Sequence, residues 1–173
     1  MKIIQFLLIL LPLTLTSQVW QNSASFPGSG RHHPITFSND QFGYVISGSN
    51  SDDVFKYDKI SDTWTQLPNI PFSGRGYSYG VSIGDIAFMG FGIDLNNNYP
   101  TDWWQFDMLT ETWTQLANFP GDGRAHPAMV VANENIYVGC GSNGPNLGDW
   151  WEYNVINDSW SQKSSFIGND RHH

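Results

Sequence analysis

The sequence contains a single cysteine, Cys140, and few basic side chains for its length. One cysteine cannot form an internal disulfide bond, so packing must stabilise the fold even in an oxidising compartment. Eight lysine and arginine residues stand against 16 aspartate and glutamate residues, and the net charge is −8. Such a surface excludes nucleic-acid binding through phosphate contacts, which needs clustered basic side chains, and it argues against docking on anionic lipid.

The sequence also lacks the short motifs of common catalytic sites. It has no Gly-x-Ser-x-Gly nucleophile turn, no His-Glu-x-x-His metal pair and no glycine-rich phosphate loop. Beyond the N-terminus, no stretch has helical periodicity. Glycine and aromatic residues are abundant instead, with 17 Gly, 8 Trp, 7 Tyr and 11 Phe, which is typical of short strands joined by tight turns.

The one long apolar run lies at the N-terminus. Met1 and Lys2 precede an apolar run over residues 3–15, and Thr16 and Ser17 follow it. This pattern predicts a secretory signal peptide over residues 1–17, and hence a secreted or periplasmic protein. An uncleaved anchor is the alternative, but the run is shorter than the roughly 18 residues of a spanning helix. We expect no membrane contact beyond the signal peptide.

The rest of the chain, residues 18–173, repeats one motif. In each copy an arginine follows a tryptophan after eleven residues, and an apolar residue lies six positions after the tryptophan. The steps between tryptophans are 44, 49 and 47 residues, and a period in this range indicates a repeat architecture. The four pairs are Trp20 with Arg31, Trp64 with Arg75, Trp113 with Arg124, and Trp160 with Arg171.

Further positions recur at fixed offsets within each unit. An apolar run ends at a glycine 17 residues after the arginine, and an aspartate lies 11 residues before the next tryptophan. Each unit therefore predicts four strands, A to D. Strands A cover about 33–38, 77–82 and 126–132; strands B about 42–47, 86–91 and 135–140; strands C about 53–57, 102–106 and 149–153; strands D about 63–67, 112–116 and 159–163. The glycines are Gly48, Gly92 and Gly141, and the aspartates are Asp53, Asp102 and Asp149.

This set of positions resembles the kelch repeat. The matching features are the apolar run into a glycine, the aromatic-x-aromatic-Asp of strand C, the tryptophan of strand D, and the proline and arginine beyond it. Kelch blades usually carry two adjacent glycines after strand B, whereas this chain has Ser47-Gly48, Phe91-Gly92 and Cys140-Gly141.

The resemblance implies an all-β fold, a partial kelch-type β-propeller. We expect about three four-stranded antiparallel blades, over about 31–70, 75–119 and 124–166, plus an orphan N-terminal strand at 19–21. Propellers need about four to eight blades. Because Arg171-His172-His173 copies Arg31-His32-His33, we expect the remaining blades to belong to the same, longer chain.

The repeated aromatic, arginine and aspartate residues are predicted to be structural. Neighbouring strand residues face opposite ways, so each of the pairs Trp103-Trp104 and Trp150-Trp151 should send one ring toward each neighbouring blade. The arginines should bond loop carbonyls and carboxylates, with the aspartates as natural partners. The alternatives are a sugar-binding platform for the tryptophans and ligand contact for the arginines.

Two sets of residues are candidates for binding. By the resemblance, the position two residues after each arginine starts the innermost strand near the channel mouth, where the alternative is an ordinary strand residue. The connections between strands B and C are rich in asparagine, which suits hydrogen bonding to sugars or peptide backbone but also simply forms turns. The candidates are His33, Tyr77, His126 and His173 at the mouth, and Asn50, Asn97 and Asn143 in the connections.

Three histidines suggest a transition metal, but equivalent positions on adjacent blades should lie several Å apart, so we predict no metal and no cofactor. The sequence favours a non-enzymatic module that binds a protein or glycan partner through one propeller face. Two alternatives stay open: a carbohydrate-active enzyme, such as a kelch-type sialic acid epimerase, and a purely structural repeat domain of a larger surface protein.

Overall fold

The computed structural model describes residues 20–172 and contains fourteen β-strands and no helix in that range. Three four-stranded antiparallel sheets account for all but two strands, which pair with each other. The predicted all-β architecture of three four-stranded blades is confirmed, and the chain folds as a partial β-propeller. No described segment is a helix that could cross a bilayer. The predicted signal peptide lies outside the described residues.

The strands lie at the repeat positions that the sequence indicates. The first blade comprises β1 to β4; the second β6, β7, β9 and β10; and the third β11 to β14. In chain order the strands are β1 (Ile35–Ser38), β2 (Phe42–Ile46), β3 (Val54–Asp58), β4 (Thr63–Leu67), β5 (Arg75–Gly76), β6 (Tyr79–Ile83), β7 (Ile86–Gly90), β8 (Ile93–Asp94), β9 (Trp103–Asp107), β10 (Thr112–Leu116), β11 (Ala128–Ala132), β12 (Asn135–Gly139), β13 (Trp150–Asn154) and β14 (Ser159–Lys163).

Apart from one-residue shifts at the ends of strands B and C, two details differ from the sequence prediction. The innermost strands begin at residues 35, 79 and 128, two positions later than predicted, because the residue two after each arginine has a left-handed backbone and cannot extend the strand. The strands β5 and β8 form a short ladder, with Arg75 opposite Asp94, that the sequence does not predict. Strands of two residues are too short to show an alternating pattern.

The innermost strands β1, β6 and β11 lie beside one another, as expected for strands that line a common axis. The Ser82 hydroxyl of β6 donates a hydrogen bond to the Ser38 carbonyl of β1 at 3.1 Å. Within each blade, the start of the inner strand lies opposite the end of the second strand. In the first blade, for example, Ile35 is opposite Ile46, which is opposite Val54.

Two apolar cores lie between the blades. The first seam, between the first and second blades, contains Ile35, Tyr44 and Met89, and Trp104 packs against it. The second seam, between the second and third blades, is centred on fully buried Trp103. The adjacent residues Trp103 and Trp104 therefore face different neighbouring blades, as predicted. The strand D tryptophans are partly buried and pack on these cores or, in the first blade, on its outer aromatic residues.

The described part of the predicted N-terminal strand, Trp20 and Gln21, lies outside any strand, and Trp20 is 99% exposed. Both edges of every strand C (β3, β9 and β13) are already paired, so the described residues offer no strand C edge to it. The following residues do pack on the first blade. The Phe26 ring lies 5.0 Å from Phe55 and 5.2 Å from Trp64, centroid to centroid.

Candidate functional site

The antiparallel pairing places the same features of every blade at one end. The starts of the inner strands lie beside the ends of the second strands, and the connection to the third strand leaves from there. We call this end the loop face. It comprises His33, Tyr77 and His126 with the connections 48–53, 92–102 and 141–149.

The structure brings together the three described mouth candidates. The ring centroids of His33 and Tyr77 are 4.6 Å apart, those of Tyr77 and His126 are 4.6 Å apart, and those of His33 and His126 are 5.2 Å apart. His32 lies 5.1 Å from His33, and His172 lies 5.7 Å from His126. We call these five residues the ring cluster. The fourth candidate, His173, lies outside the described residues.

The backbone aims the cluster side chains in the same way in each repeat. His33, Tyr77 and His126 have φ angles of 49°, 58° and 53°, in the left-handed region that side chains other than glycine rarely adopt. Residues held in this region tend to lie at ligand clamps and active sites. All three residues are partly buried.

The cluster has the chemistry for polar recognition. The Nδ1 atoms of His32 and His33 are 2.9 Å apart, so one imidazole donates a hydrogen bond and the other accepts it. Imidazole and phenol groups offer donors, acceptors and flat faces for stacking. Within residues 20–172 no group of three or more histidine, cysteine, aspartate or glutamate side chains has metal-binding geometry.

The asparagine candidates lie in three separate connections of the loop face. The first connection contacts the ring cluster, because the His32 N–H donates to the Ser49 hydroxyl at 3.1 Å. Asn50 and Asn97 adopt left-handed φ angles of 63° and 60°, as turn residues do. The Asn97 N–H donates to the Asp94 carbonyl at 3.1 Å, and the Asn143 N–H donates to the Pro145 carbonyl at 3.3 Å.

Three of the four repeated arginines form ion pairs beneath the loop face, which we call the arginine ties. Arg75 is 1% exposed and holds Asp102 through two hydrogen bonds of 2.9 Å each. Arg124 is fully buried and bonds the Asp149 carboxylate at 2.5 and 2.9 Å. Arg31 bonds both carboxylate oxygens of Asp53. Arg171 is exposed and forms no ion pair with any described residue, although it stacks on Phe166 at 4.6 Å.

These ties lower the pKa of each partner carboxylate. Burial alone would raise the pKa of Asp102, but the hydrogen bonds and charge of Arg75 outweigh it, so the pKa lies below its ordinary value. At Asp149, too, burial alone would raise the pKa, but the hydrogen bonds from Arg124 and Trp151 and the charge of Arg124 outweigh it, so the pKa is lowered. At Asp53 the hydrogen bond from Arg31 is the main cause of the lowered pKa.

The repeated glycines have left-handed φ angles, of 84° at Gly48, 90° at Gly92 and 87° at Gly141. A Cβ at Gly48 would lie 2.8 Å from the Pro34 backbone, and one at Gly141 would lie 2.6 Å from the Ala125 carbonyl oxygen. Glycine is therefore required by both conformation and space. Each N–H donates to the carbonyl of the next repeat's arginine, at 3.1, 2.8 and 2.8 Å in chain order.

The sequence pattern singles out the residue before each of these glycines, but it does not predict the backbone conformation of that residue. Ser47, Phe91 and Cys140 occupy the place of the first glycine of a kelch pair, and their φ angles are 56°, 65° and 54°. The departure from the kelch pattern therefore changes the side chain while the backbone keeps a glycine-like conformation. Burial raises the pKa of the Cys140 thiol, which makes the thiolate less accessible.

No protein-family model and no curated protein sequence matches this chain. Among solved structures, the chain is similar to the structure of YjhT, with a TM-score of 0.74 and 18% sequence identity. The alignment covers 86% of this chain and 56% of that one, so this chain spans little more than half the length of YjhT. At this identity the similarity shows the fold alone, and it agrees with the propeller architecture seen in the three blades.

Proposed function

We propose that this chain is a kelch-type β-propeller module, secreted or periplasmic, that binds a protein or glycan partner on its loop face. The observation that carries the proposal is the convergence of His33, Tyr77 and His126 to within 5.2 Å of one another on the loop face. The blades act as a rigid scaffold, and recognition is performed by residues displayed at their ends.

The backbone conformation is compatible with a binding role because it fixes the directions of the three side chains. A left-handed conformation costs an L-residue about 1 kcal/mol. The chain carries this cost at the same place in three repeats, at positions that stay partly open to solvent. A polar ligand site gains from side chains held in fixed directions.

The family and the location rest on the sequence pattern. The fixed offsets between tryptophan, arginine, glycine and aspartate support the kelch assignment, and the charged start and apolar run of residues 1–17 support export. N-terminal sequencing of the protein recovered outside the cytoplasm tests the location. We expect the mature chain to begin at Gln18, and a chain beginning at Met1 would contradict cleavage.

The binding proposal is tested with the full chain on a glycan array and as bait in a pull-down. We expect a specific partner that is lost in the triple variant His33→Ala, Tyr77→Ala, His126→Ala. The matched control is Lys59→Ala with Ile60→Ala, two exposed residues in the turn at the opposite end of the first blade. Equal loss in both variants, or no partner in either assay, would contradict a binding site at the ring cluster. Turnover of a sialic acid anomer would point to an enzyme instead.

A further inference from the structure

A separate cleft opens on the loop face between the first and second blades. Its volume is about 390 Å³. One wall is the connection of the first blade, the other is the connection of the second blade, and the floor is the chain that crosses between the blades. The lining side chains are Asn50 and Asp52, then Phe72 and Ser73, then Asp94, Leu95 and Asn96.

The second wall of the cleft breaks the repeat. Phe72 on the floor also departs from the pattern, since the neighbouring repeats have Gly28 and Gly121 there, but its ring packs on Trp104 and Trp113, which accounts for it. Leu95 and Asn96 belong to the longest of the three connections, from Gly92 to Asp102. The other repeats fold without these features. Departures from an otherwise regular pattern are expected at functional sites, where local rules give way to a specific task.

The second wall is rigid and negatively charged. The Asp94 carboxylate accepts hydrogen bonds from the N–H groups of Asn96 and Asn98, each at 2.8 Å, and from the Asn98 side-chain amide at 3.0 Å. These bonds, led by the side-chain amide of Asn98, lower the pKa of Asp94. Three hydrogen bonds therefore brace the connection, and its carboxylate is ionised at neutral pH.

No lysine, arginine or histidine lines the cleft, although Asp52 and Asp94 do. Arg75 stacks on the Phe72 ring at 4.6 Å and bonds Asp102, and its charge also helps to lower the pKa of Asp94, but three carboxylates stand near this one cation. The field in the cleft is therefore negative, and the net charge of −8 adds long-range attraction for cations.

We propose that this cleft binds a lysine or arginine side chain presented by a protein partner. The carboxylate of Asp52 and the amide oxygens of Asn50 and Asn96 suit the donors of an ammonium or guanidinium group. Leu95 is 71% exposed at the rim and offers an apolar contact beside the charge. An inorganic cation gains nothing from such a contact, whereas a peptide does. The site is independent of the ring cluster.

The test uses the full chain and a fluorescein-labelled peptide, Gly-Leu-Lys-Leu-Gly, followed by fluorescence anisotropy at low ionic strength. A second peptide carries norleucine, a neutral side chain of similar shape, in place of lysine. We expect the lysine peptide to bind about tenfold more tightly than the norleucine peptide, and Asp52→Asn to weaken it about fivefold. Leu95→Ser should weaken it about threefold.

The matched control is Asp40→Asn, which removes the same charge from the opposite end of the first blade and should leave the affinity unchanged. Equal affinity for the two peptides would overturn the proposal. So would an equal loss in the Asp40 and Asp52 variants, which would indicate a general effect of net charge. Displacement by millimolar calcium chloride, but not by sodium chloride of equal ionic strength, would assign the cleft to an inorganic cation and overturn it.

The outcome is separable from that of the proposed function. The triple variant of the ring cluster should still bind the lysine peptide, because none of its three residues lines the cleft. Loss of the array or pull-down partner in that variant with peptide binding kept would support both sites. Circular dichroism of each variant checks the fold, which exposed Asp52 and Leu95 should not affect.

Discussion

The two seams between blades place an aromatic ring at the same point from different positions in the sequence. At the second seam Phe119, six residues after Trp113, lies 5.3 Å from Trp151 and 5.0 Å from Trp160. At the first seam the residue at that offset is Ile70, and it lies in the apolar core of the seam.

The ring of the first seam comes instead from Phe72, eight residues after the tryptophan. It lies 5.1 Å from Trp104 and 5.5 Å from Trp113, and it stacks on Arg75 at 4.6 Å. The equivalent stack at the second seam, Phe119 on Arg124, has a distance of 5.0 Å. The two rings therefore make equivalent contacts, although their positions in the repeat differ by two residues.

Gly121 shows why a seam cannot carry an aromatic ring at both positions, six and eight residues after the tryptophan. A Cβ at Gly121 would lie 2.8 Å from the Phe119 ring, so the second seam cannot hold side chains at both positions without rearrangement. A side chain at Gly121 would therefore enter the space of the Phe119 ring, so either position can supply the ring. Each seam therefore needs an aromatic ring in this space, but the ring need not come from one fixed distance after the tryptophan.

The largest expected difference between the seams concerns the buried residue at the start of the third strand. Trp103→Ala at the second seam should lower the free energy of unfolding by about 4 kcal/mol, because it leaves a large cavity. Val54→Ala at the first seam should cost about 2 kcal/mol. Urea unfolding followed by circular dichroism measures both. Trp20→Ala is the control for tryptophan removal, since Trp20 is 99% exposed; equal losses for Val54 and Trp103 would contradict the comparison.

The arginine ties should behave alike at the two seams. Asp102→Asn leaves buried Arg75 without a counter-charge and should cost about 3 kcal/mol. Asp149→Asn should have a similar effect through Arg124. Arg171→Met, at an exposed arginine without an ion pair to described residues, is the control and should leave the unfolding free energy unchanged. A large loss in that control would indicate that the ion pair is not the cause.

The same ties predict acid sensitivity. The folded-state pKa values of Asp53, Asp102 and Asp149 are lowered, so their stabilisation is complete above the unfolded pKa of about 3.9 and is lost as the pH falls through the folded values. Thermal unfolding between pH 7 and pH 2 measures this loss. Asp102→Asn should flatten the acid limb of the curve, and a stability that rises with acid would contradict the sign.

A sequence swap tests whether the shift of the ring is a true compensation. Phe72→Gly alone should cost about 2 kcal/mol, because a half-buried ring is removed. Adding Ile70→Phe should restore at least half of that loss by supplying the ring from the position used at the second seam. Urea unfolding of both variants gives the coupling between the two positions. A double variant less stable than the single variant would show that the two ring arrangements are not interchangeable.

The smallest expected effect concerns a backbone hydrogen bond that is present at the second seam and replaced by an ion pair at the first. At the second seam the Ala117 N–H donates to Asp158 at 2.8 Å, whereas the first seam has Pro68, which has no N–H, and a Lys56–Glu111 ion pair. The double variant Pro68→Ala, Glu111→Asp gains a backbone donor, but it shortens the carboxylate that pairs with Lys56 and makes the unfolded chain more flexible. Its free energy of unfolding in urea should therefore change by no more than about 0.5 kcal/mol. A gain from Glu111→Asp alone would contradict that reason.

The sequence predicts the strands and the ion pairs well because both depend on fixed offsets. Trp113 and Arg124 mark the second unit, and the offset from Arg124 to Asp149 predicts a tie that the structure contains. The ring of Phe72 is not predicted because it comes eight residues after the tryptophan instead of six, although it fills the same space at the seam. The left-handed conformation of Tyr77 is not predicted either, since nothing in the side chain signals a positive φ.

The candidate site is only partly predictable. The sequence places His33, Tyr77 and His126 at equivalent positions, but their approach to within 5.2 Å depends on the packing of neighbouring inner strands. The cleft at Asp52 and Asp94 cannot be read from offsets, because it arises where two connections of different length face each other.

In every blade the residue before the repeated glycine has a left-handed backbone, whereas its side chain differs from blade to blade. The Ser47 hydroxyl accepts a hydrogen bond from the Arg75 N–H at 2.9 Å, whereas Phe91 packs on Phe119 at 5.1 Å and Cys140 lines a pocket. The same backbone conformation thus positions three side chains with different contacts. Glycine at these positions would adopt the same backbone at lower cost but would offer no side chain for such contacts.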